Sequence, residues 1–171
     1  MRDGYSTILE EVLEAWAYTR AGVVSEVRNF SEKDLDFRPA PESRTFRELV
    51  IHILESGNLM AGEVSRPDGN FRRKPYEDLL KEHARGIGRP RTRGELVSAL
   101  QRTHREGDAK IRSAGELGML QWITRFDGKR GTRLAWMHHG ISHEEYHRGQ
   151  LALYARLMGR VPALTKLILG Q

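Results

Sequence analysis

Four of the seven histidines in this sequence fall within ten residues, from His138 to His147. Two pairs among them, His139 with His143 and His143 with His147, are four residues apart. If the segment is helical, the side chains of each pair lie on the same face, about 6 Å apart along the axis. Two neutral imidazoles in that arrangement can bind one divalent ion at about 2.0–2.1 Å. Because three in a row span about 12 Å, we expect one adjacent pair to supply two ligands and another helix the third.

His52 is the best candidate for that third ligand, because it lies beside Leu49 and Ile53 on the apolar stripe of a separate predicted helix. Metal sites in helical bundles are built from side chains on facing helices. A lone histidine in such a position is more often a core residue that hydrogen-bonds to a carbonyl group. The stacked pairs elsewhere in the chain need a further ligand, and this favours the metal-binding interpretation of His52.

Three other residues are candidates for catalytic roles. The role of His139 stays open, since it could be a metal ligand, a group that supports a ligand, or a proton carrier. Glu144 lies about 100° around the helix from His143. It could act as a base or support a ligand, although exposure to solvent is the favoured interpretation. His104, on another predicted helix, could face the same cavity, but a surface or core role is favoured.

Two polar residues follow the last histidine of the cluster. The sequence interpretation is that Arg148 and Gln150 both point away from His147 around the helix. Arg148 is expected to pair with a carboxylate or to anchor a connection. The three tryptophans are expected to be core residues or pocket walls, at positions Trp16, Trp122 and Trp136.

The composition predicts a folded single domain, which we expect to span residues 1–171. Apolar residues make up 39% of the chain and charged residues 30%, so one hydrophobic core is expected. The net charge is +5. The basic segments at 72–74 and 85–93 are interpreted as solvated loops, and a patch that attracts an anionic cofactor is the alternative. No aromatic interleaving or motif of nucleic-acid recognition accompanies them. We therefore expect no nucleic-acid partner.

Cysteine is absent, which excludes disulfides, thiolate nucleophiles and cysteine-ligated metals from the chemistry of this chain. A metal is therefore expected on His, Asp or Glu side chains. No apolar run approaches the roughly 20 residues that cross a bilayer. The first residues also lack the apolar stretch of a signal peptide, because Glu10, Glu11 and Glu14 interrupt it. We expect a cytoplasmic protein that does not associate with membranes.

Four long segments carry helical signals and must position the histidines. Three of them begin with a capping box, in which a threonine is followed three residues later by a glutamate, at Thr7, Thr45 and Thr92. Apolar residues then recur at steps of three or four. The predicted helices run over about 8–29, 46–65, 93–112 and 133–158. The pattern predicts an all-α fold, a four-helix bundle.

The connections between the second and third helices, and between the third and fourth, are predicted to be irregular. Residues 70–90 contain one short helical segment, Tyr76 to Ala84, followed by glycines and a proline. Residues 113–131 are rich in glycine and contain the turn sequence Asp127-Gly128. An excursion or a hairpin is expected there. A single helical turn is also expected at 31–35.

His52 together with residues 143–150, HEEYHRGQ, resembles the DinB/YfiT-like family. The hallmark of that family is a histidine on the second helix and H-x-x-x-H, often continuing as H-R-G-Q, on the last long helix. The segment 37–41, FRPAP, which leads to a capped helix, is also similar. The resemblance covers residues 7–160.

This resemblance implies a four-helix bundle with up-down-down-up connections, commonly a homodimer. It implies a divalent metal, usually Zn²⁺ or Ni²⁺, on three histidines that correspond to His52, His143 and His147. Characterised relatives include metal-dependent transferases and isomerases that use a low-molecular-weight thiol such as bacillithiol, mycothiol or glutathione. We therefore expect a thiol-dependent S-transferase acting on a small molecule, with hydrolysis as another possible reaction.

Neutral imidazole ligands leave the charge of a divalent ion uncompensated, so a bound water can reach a pKa of about 7. The same site could deprotonate an incoming thiol. Both hydrolase and S-transferase chemistry fit these properties. A non-catalytic alternative also stays open, in which a metal-stabilised bundle acts as a binding or stress-response module.

Overall fold

The computed structural model describes residues 6–171. The prediction that the first residues lack a signal peptide includes residues 1–5, which lie outside the described part. A 3₁₀ turn follows the first helix, as expected, at Glu32–Asp34. The other elements are α1 (Ile8–Arg28), α2 (Phe46–Val64), α3 (Tyr76–Ala84), α4 (Arg93–Met119), β1 (Trp122–Thr124), β2 (Arg130–Thr132), α5 (Arg133–Leu157) and α6 (Ala163–Leu169). None of the helices in residues 6–171 has the length and apolar composition that crossing a membrane requires.

Each long helix begins after a threonine whose hydroxyl accepts a backbone N–H of the first turn. Thr7, Thr45 and Thr92 form the predicted capping boxes with the glutamate three residues later. Thr132 accepts the N–H of Ala135 at the start of α5. Such caps each stabilise a helix by about 1 kcal/mol. The predicted boundaries of the first, second and fourth long helices are confirmed to within one residue.

The four long helices form a bundle with an apolar cluster at each end. One cluster combines the C-terminal halves of α1 and α5 with the N-terminal halves of α2 and α4. The other cluster combines the opposite halves with β1. Therefore α1 and α5 run one way and α2 and α4 the other, which is the up-down-down-up arrangement. Because α1 and α2 each pack against both α4 and α5, they occupy opposite corners.

The predicted irregular connections contain the two smaller elements. The helix α3 packs against α2 within the crossover to α4, and its predicted bounds are confirmed. The strands β1 and β2 pair as an antiparallel hairpin, with Trp122 opposite Thr132. Asn70 forms a bridge to Thr124 of β1, so the hairpin is attached to the segment before α3. The turn includes Gly128 at a φ of 82°, a backbone conformation that favours glycine.

Two helical segments were not expected from the sequence. The helix α4 continues past the predicted end at 112 to Met119, with a break at Gly115, whose φ is 71°. The glycine interrupts the helix but does not end it, because residues after it resume helical geometry. The short helix α6 follows Pro162 and packs against α1.

Candidate metal centre and the adjoining cavity

Three histidines from two helices meet in the middle of the bundle. The ring of His52, on α2, has its centroid 5.2 Å from that of His143 and 4.7 Å from that of His147, both on α5. The centroids of His143 and His147 are 4.4 Å apart. One nitrogen from each ring lies within 4.8 Å of the others. The structure therefore brings together the three residues that the sequence singled out.

The helices place these rings for simple geometric reasons. His143 and His147 are one turn apart, so their side chains share a face of α5. On α2, Leu49 and Ile53 are each 1% exposed, so this face of α2 is buried in the bundle. Since α2 packs against α5, His52 between them is held next to the pair.

The spacing of the nitrogens suits a shared ion. Nε2 of His143 is 3.0 Å from Nε2 of His147. Two ligands that bind one ion at 2.0–2.1 Å with an angle of 90–109° are separated by roughly 2.8–3.4 Å. The pair therefore needs little rearrangement to contact a single divalent cation.

Gln150 orients one of the rings, contrary to the sequence interpretation. Its Oε1 lies 2.7 Å from Nδ1 of His147, so it accepts a hydrogen bond from that nitrogen and leaves Nε2 facing His143. The prediction that Gln150 points away was wrong, because a residue three positions later returns to the same helical face. This signal was present in the sequence and was missed.

The three rings are neutral at pH 7. Burial lowers the pKa of His52 to about 4, and the positive charge of Arg44 adds to the effect. Burial also lowers the pKa of His143. It lowers the pKa of His147 as well, against the opposing hydrogen bond with Gln150. Neutral imidazole is the form that binds a metal.

Glu144 is buried, so the expectation of solvent exposure was wrong. Its side chain is 3% exposed and forms an ion pair with Arg20 of α1. The indole N–H of Trp16 donates to it over 3.1 Å. Arg20 in turn donates to the Leu100 carbonyl and the Thr103 hydroxyl of α4. Glu144 therefore ties α5 to α1 and is already engaged by two donors.

The other two catalytic candidates lie apart from the three clustered rings. His104 packs edge-on against Trp16, with ring centroids 4.5 Å apart. Within the described residues, its buried Nδ1 has no hydrogen-bond partner. His139 lies one turn before His143 and lines a cavity beside it. Its Nε2 is 3.3 Å from Nη1 of Arg125.

Arg148 pairs with a carboxylate, as predicted, at 2.8 Å from Glu145. Its guanidinium also lies over the ring of Tyr18 on α1, 5.5 Å from the centroid. Gly22 provides the space, because a Cβ there would come within 2.4 Å of the guanidinium carbon. Arg148 therefore connects α5 to α1.

A second group of metal-ligand residues lies near α3, and sequence reasoning did not find it. Glu63, Glu82 and His83 bring their ligand atoms within 4.8 Å of one another. Here Arg73 Nη2 is 2.5 Å from Glu63 and 2.8 Å from Glu82, and Lys74 is 2.6 Å from Glu82. Two cations of the protein thus already bind the carboxylates. Because Arg73 is only 15% exposed, the interpretation of segment 72–74 as a solvated loop was wrong for this residue.

The cavity beside His143 has a volume of about 420 Å³. It lies between α2, α3, α5 and the β1–β2 turn, and Trp136 forms part of its wall. Trp16 belongs to the core, so the expectation for these two tryptophans is confirmed. Trp122 is 62% exposed, and for it the expectation was wrong.

A family model of the DinB superfamily matches residues 14–151 of this chain. A comparison with curated proteins found no matching relative.

Several solved structures share the fold. A DinB-like protein from Bacillus cereus is 17% identical, with a TM-score of 0.70 over 93% of this chain and 97% of that one. A DinB-like protein from Bacillus subtilis is 21% identical, with a TM-score of 0.67 over 88% and 93%. YfiT from Bacillus subtilis, 16% identical with a TM-score of 0.67 over 94% and 93%, is described as a probable metal-dependent hydrolase with an unusual four-helix bundle topology.

Proposed function

This chain belongs to the DinB superfamily, and on that premise we propose that it is a divalent-metal-dependent enzyme whose ion is held by His52, His143 and His147. The observation that carries the proposal is the convergence of three imidazole nitrogens within 4.8 Å. Their rings are neutral at pH 7 because burial lowers each pKa. The description of YfiT as a probable metal-dependent hydrolase supports a metal-dependent function.

The ions that we propose for this ligand set are Zn²⁺ and Ni²⁺, and imidazole suits both. When bound, the ion supplies a Lewis acid that lowers the pKa of a water or thiol, because three neutral ligands do not reduce its charge. Gln150 fixes the ring of His147 by accepting a hydrogen bond from its Nδ1–H group. The buried pair of Arg20 and Glu144 holds α5 against α1, which fixes the backbone next to His143.

We place the reaction in the class of thiol-dependent S-transfer. The chain has no cysteine, so the sulfur nucleophile of such a reaction is a small thiol from solution. Hydrolysis is the second candidate, and the description of YfiT favours it. Both reactions use the same ion and the same three histidines, so the co-substrate distinguishes them.

Turnover assays on untagged protein test this proposal. We expect consumption of bacillithiol, mycothiol or glutathione in the presence of an electrophile. This activity is lost with a chelator and returns with Zn²⁺ or Ni²⁺. Metal-dependent ester cleavage without thiol consumption selects the hydrolase instead. A thermal shift on metal removal with no turnover of any thiol or ester contradicts an enzymatic function and supports the metal-stabilised module.

We also propose that the protein is a homodimer. Large apolar side chains are exposed toward the C-terminal end of the chain on α5 and α6, at Leu153, Leu157, Leu167, Ile168 and Leu169. Large apolar side chains that are exposed in a single chain are often covered at protein interfaces. Sedimentation velocity should give the mass of two chains, and the double substitution of Leu167 and Ile168 by glutamate should give one. Leu117→Glu, at an exposed apolar residue of α4, should leave the mass unchanged.

A further inference from the structure

Aromatic rings form much of the cavity that adjoins the histidine triad. Tyr76 of α3, Phe126 of the β1–β2 turn and Trp136 of α5 all line it. The Phe126 ring has its centroid 5.3 Å from that of Tyr76 and 5.3 Å from that of Trp136. The imidazole of His143 lines the same cavity, so a molecule bound there lies beside a proposed metal ligand.

The charged side chains in the wall are paired with each other. Nε and Nη2 of Arg125 lie 3.3 and 3.0 Å from the carboxylate oxygens of Asp127. The guanidinium of Arg125 also lies near the ring of Trp136, 5.9 Å from its centroid. Arg125 makes a further contact through Nη1, which lies 3.3 Å from Nε2 of His139 and donates to it, because arginine can only donate. The wall therefore presents planar groups whose charges compensate.

We propose that this cavity binds the planar ring system of an aryl substrate, with the reactive group of the substrate on the side of His143. The inference rests on the proposed function, because it assigns the substrate class of that same site. Three aromatic rings and a guanidinium that is paired with Asp127 can provide stacking and edge-on contacts for an aromatic ring. Because Arg125 and Asp127 neutralise each other, this wall has no net charge to bind a substrate through ionic contacts alone.

The volume of the cavity sets the size of this substrate. About 150 Å³ is enough to hold one benzene ring, and the cavity offers about 420 Å³. This volume lies within the range of roughly 300–1,000 Å³ that is usual for small-molecule sites. A ring system of two fused six-membered rings with one polar substituent fits this space.

The hairpin turn and α3 provide the specificity of the cavity. Phe126 is held in the β1–β2 turn, where the N–H of Gly128 donates to the Arg125 carbonyl over 2.9 Å. The other tryptophan of this region, Trp122, instead lies exposed with Arg130 over its ring. Trp136, which lines the cavity, is therefore the test position, and Trp122, which does not, is its control.

Isothermal titration of the protein as purified with 2-naphthoate tests the assignment. The control ligand is its saturated analogue, decahydro-2-naphthoate, which has the same carboxylate and carbon skeleton but puckered rings. We expect 2-naphthoate to bind about tenfold more tightly than the analogue. Trp136→Ala should lower the affinity for 2-naphthoate by about tenfold, whereas Trp122→Ala should change this affinity by less than about twofold.

Phe126→Ala gives a second variant, because this half-exposed turn residue is replaced without opening the bundle core. This substitution should also lower the affinity for 2-naphthoate but leave the affinity for the saturated analogue unchanged. Equal affinities for the two ligands, or equal effects of Trp136→Ala and Trp122→Ala, would overturn the assignment. Metal content and turnover are measured on the same samples. The protein could lack metal and activity and still prefer the planar ligand in a way that depends on Trp136. That result would support the aryl cavity and contradict only the proposed metal enzyme.

Discussion

Two groups of metal-ligand side chains in the described part of this chain each bring their ligand atoms within 4.8 Å of one another, but they differ in charge. In one, the rings of His52, His143 and His147 are neutral and face one another. In the other, Glu63 and Glu82 are charged and bind Arg73. In the first group the ligand nitrogens of His143 and His147 contact each other, whereas in the second the carboxylates already bind cations of the protein.

The comparison shows that closeness of ligand atoms does not by itself make a metal site. A metal ion must displace whatever already satisfies its ligands. At Glu63, burial alone would raise the pKa, but hydrogen bonds from His83 and Arg73 outweigh it and lower the pKa. The pKa of Glu82 is lowered to about 2 by Arg73 and Lys74. This group is thus a structural ion-pair network that joins α2 to α3.

Removal of the internal cation gives the largest expected change in stability. Arg73→Ala leaves the carboxylate of Glu63, 1% exposed, without its guanidinium. Loss of one partner from a buried pair costs about 3–5 kcal/mol of unfolding free energy, and we expect the low end here because Nε2 of His83 stays 2.7 Å from Glu63. Arg112→Ala, at an exposed pair with Asp108, should cost less than about 1 kcal/mol. Equal losses in urea unfolding would show that the network near α3 is no more important than a surface pair.

Loss of the hydrogen bond that orients His147 should weaken metal binding without abolishing it. Gln150→Ala removes the acceptor for Nδ1 of His147. Partners of metal ligands of this kind are typically worth about 10–100-fold in affinity. Competition with a chromophoric chelator measures the change. Gln101→Ala, at an exposed residue of α4, should leave the affinity unchanged, and the proposed role of Gln150 is excluded if the two variants behave alike.

A smaller effect is the pH dependence of the unfolding free energy, to which the carboxylates of the group near α3 contribute. Because the folded pKa of Glu63 lies below its ordinary value of 4.5, its stabilisation is fully present above about pH 4.5 and is lost as the pH falls through the folded pKa. Glu82, with a pKa of about 2, extends this loss toward pH 2. Glu63→Gln should flatten the fall in unfolding free energy between about pH 4.5 and 2. An unchanged slope in that variant would show that the network does not contribute to acid sensitivity.

The bundle and the histidine triad could be predicted from the sequence because both depend on local spacing. Threonine caps mark where helices begin, and a spacing of four residues places His143 and His147 on one face. The pairing of that face with His52 followed from the apolar stripe around it. Local spacing accounts for the caps and for the pair on α5, whereas the choice of His52 also rested on the need of that pair for a third ligand and on the family resemblance.

The partners of Glu144 and Glu63 could not be predicted, because one comes from a distant helix and the other from an irregular loop. Arg20 reaches Glu144 from α1, 124 residues away in sequence. Arg73 reaches Glu63 from a loop without a regular pattern. The exposed position of Trp122 was equally hidden, since it depends on which way the hairpin turns. Gln150 is different, because a spacing of three residues from His147 was enough to place it on the same face.

Elemental analysis of untagged wild-type protein, His147→Ala and His83→Ala tests the central claim most directly. The claim is that the neutral histidine group, and not the ion-paired group near α3, holds the metal. We predict about one Zn²⁺ or Ni²⁺ per wild-type chain, most of it lost in His147→Ala and all of it retained in His83→Ala. Equal metal content in wild type and His147→Ala, or loss of the metal in His83→Ala, would contradict this assignment.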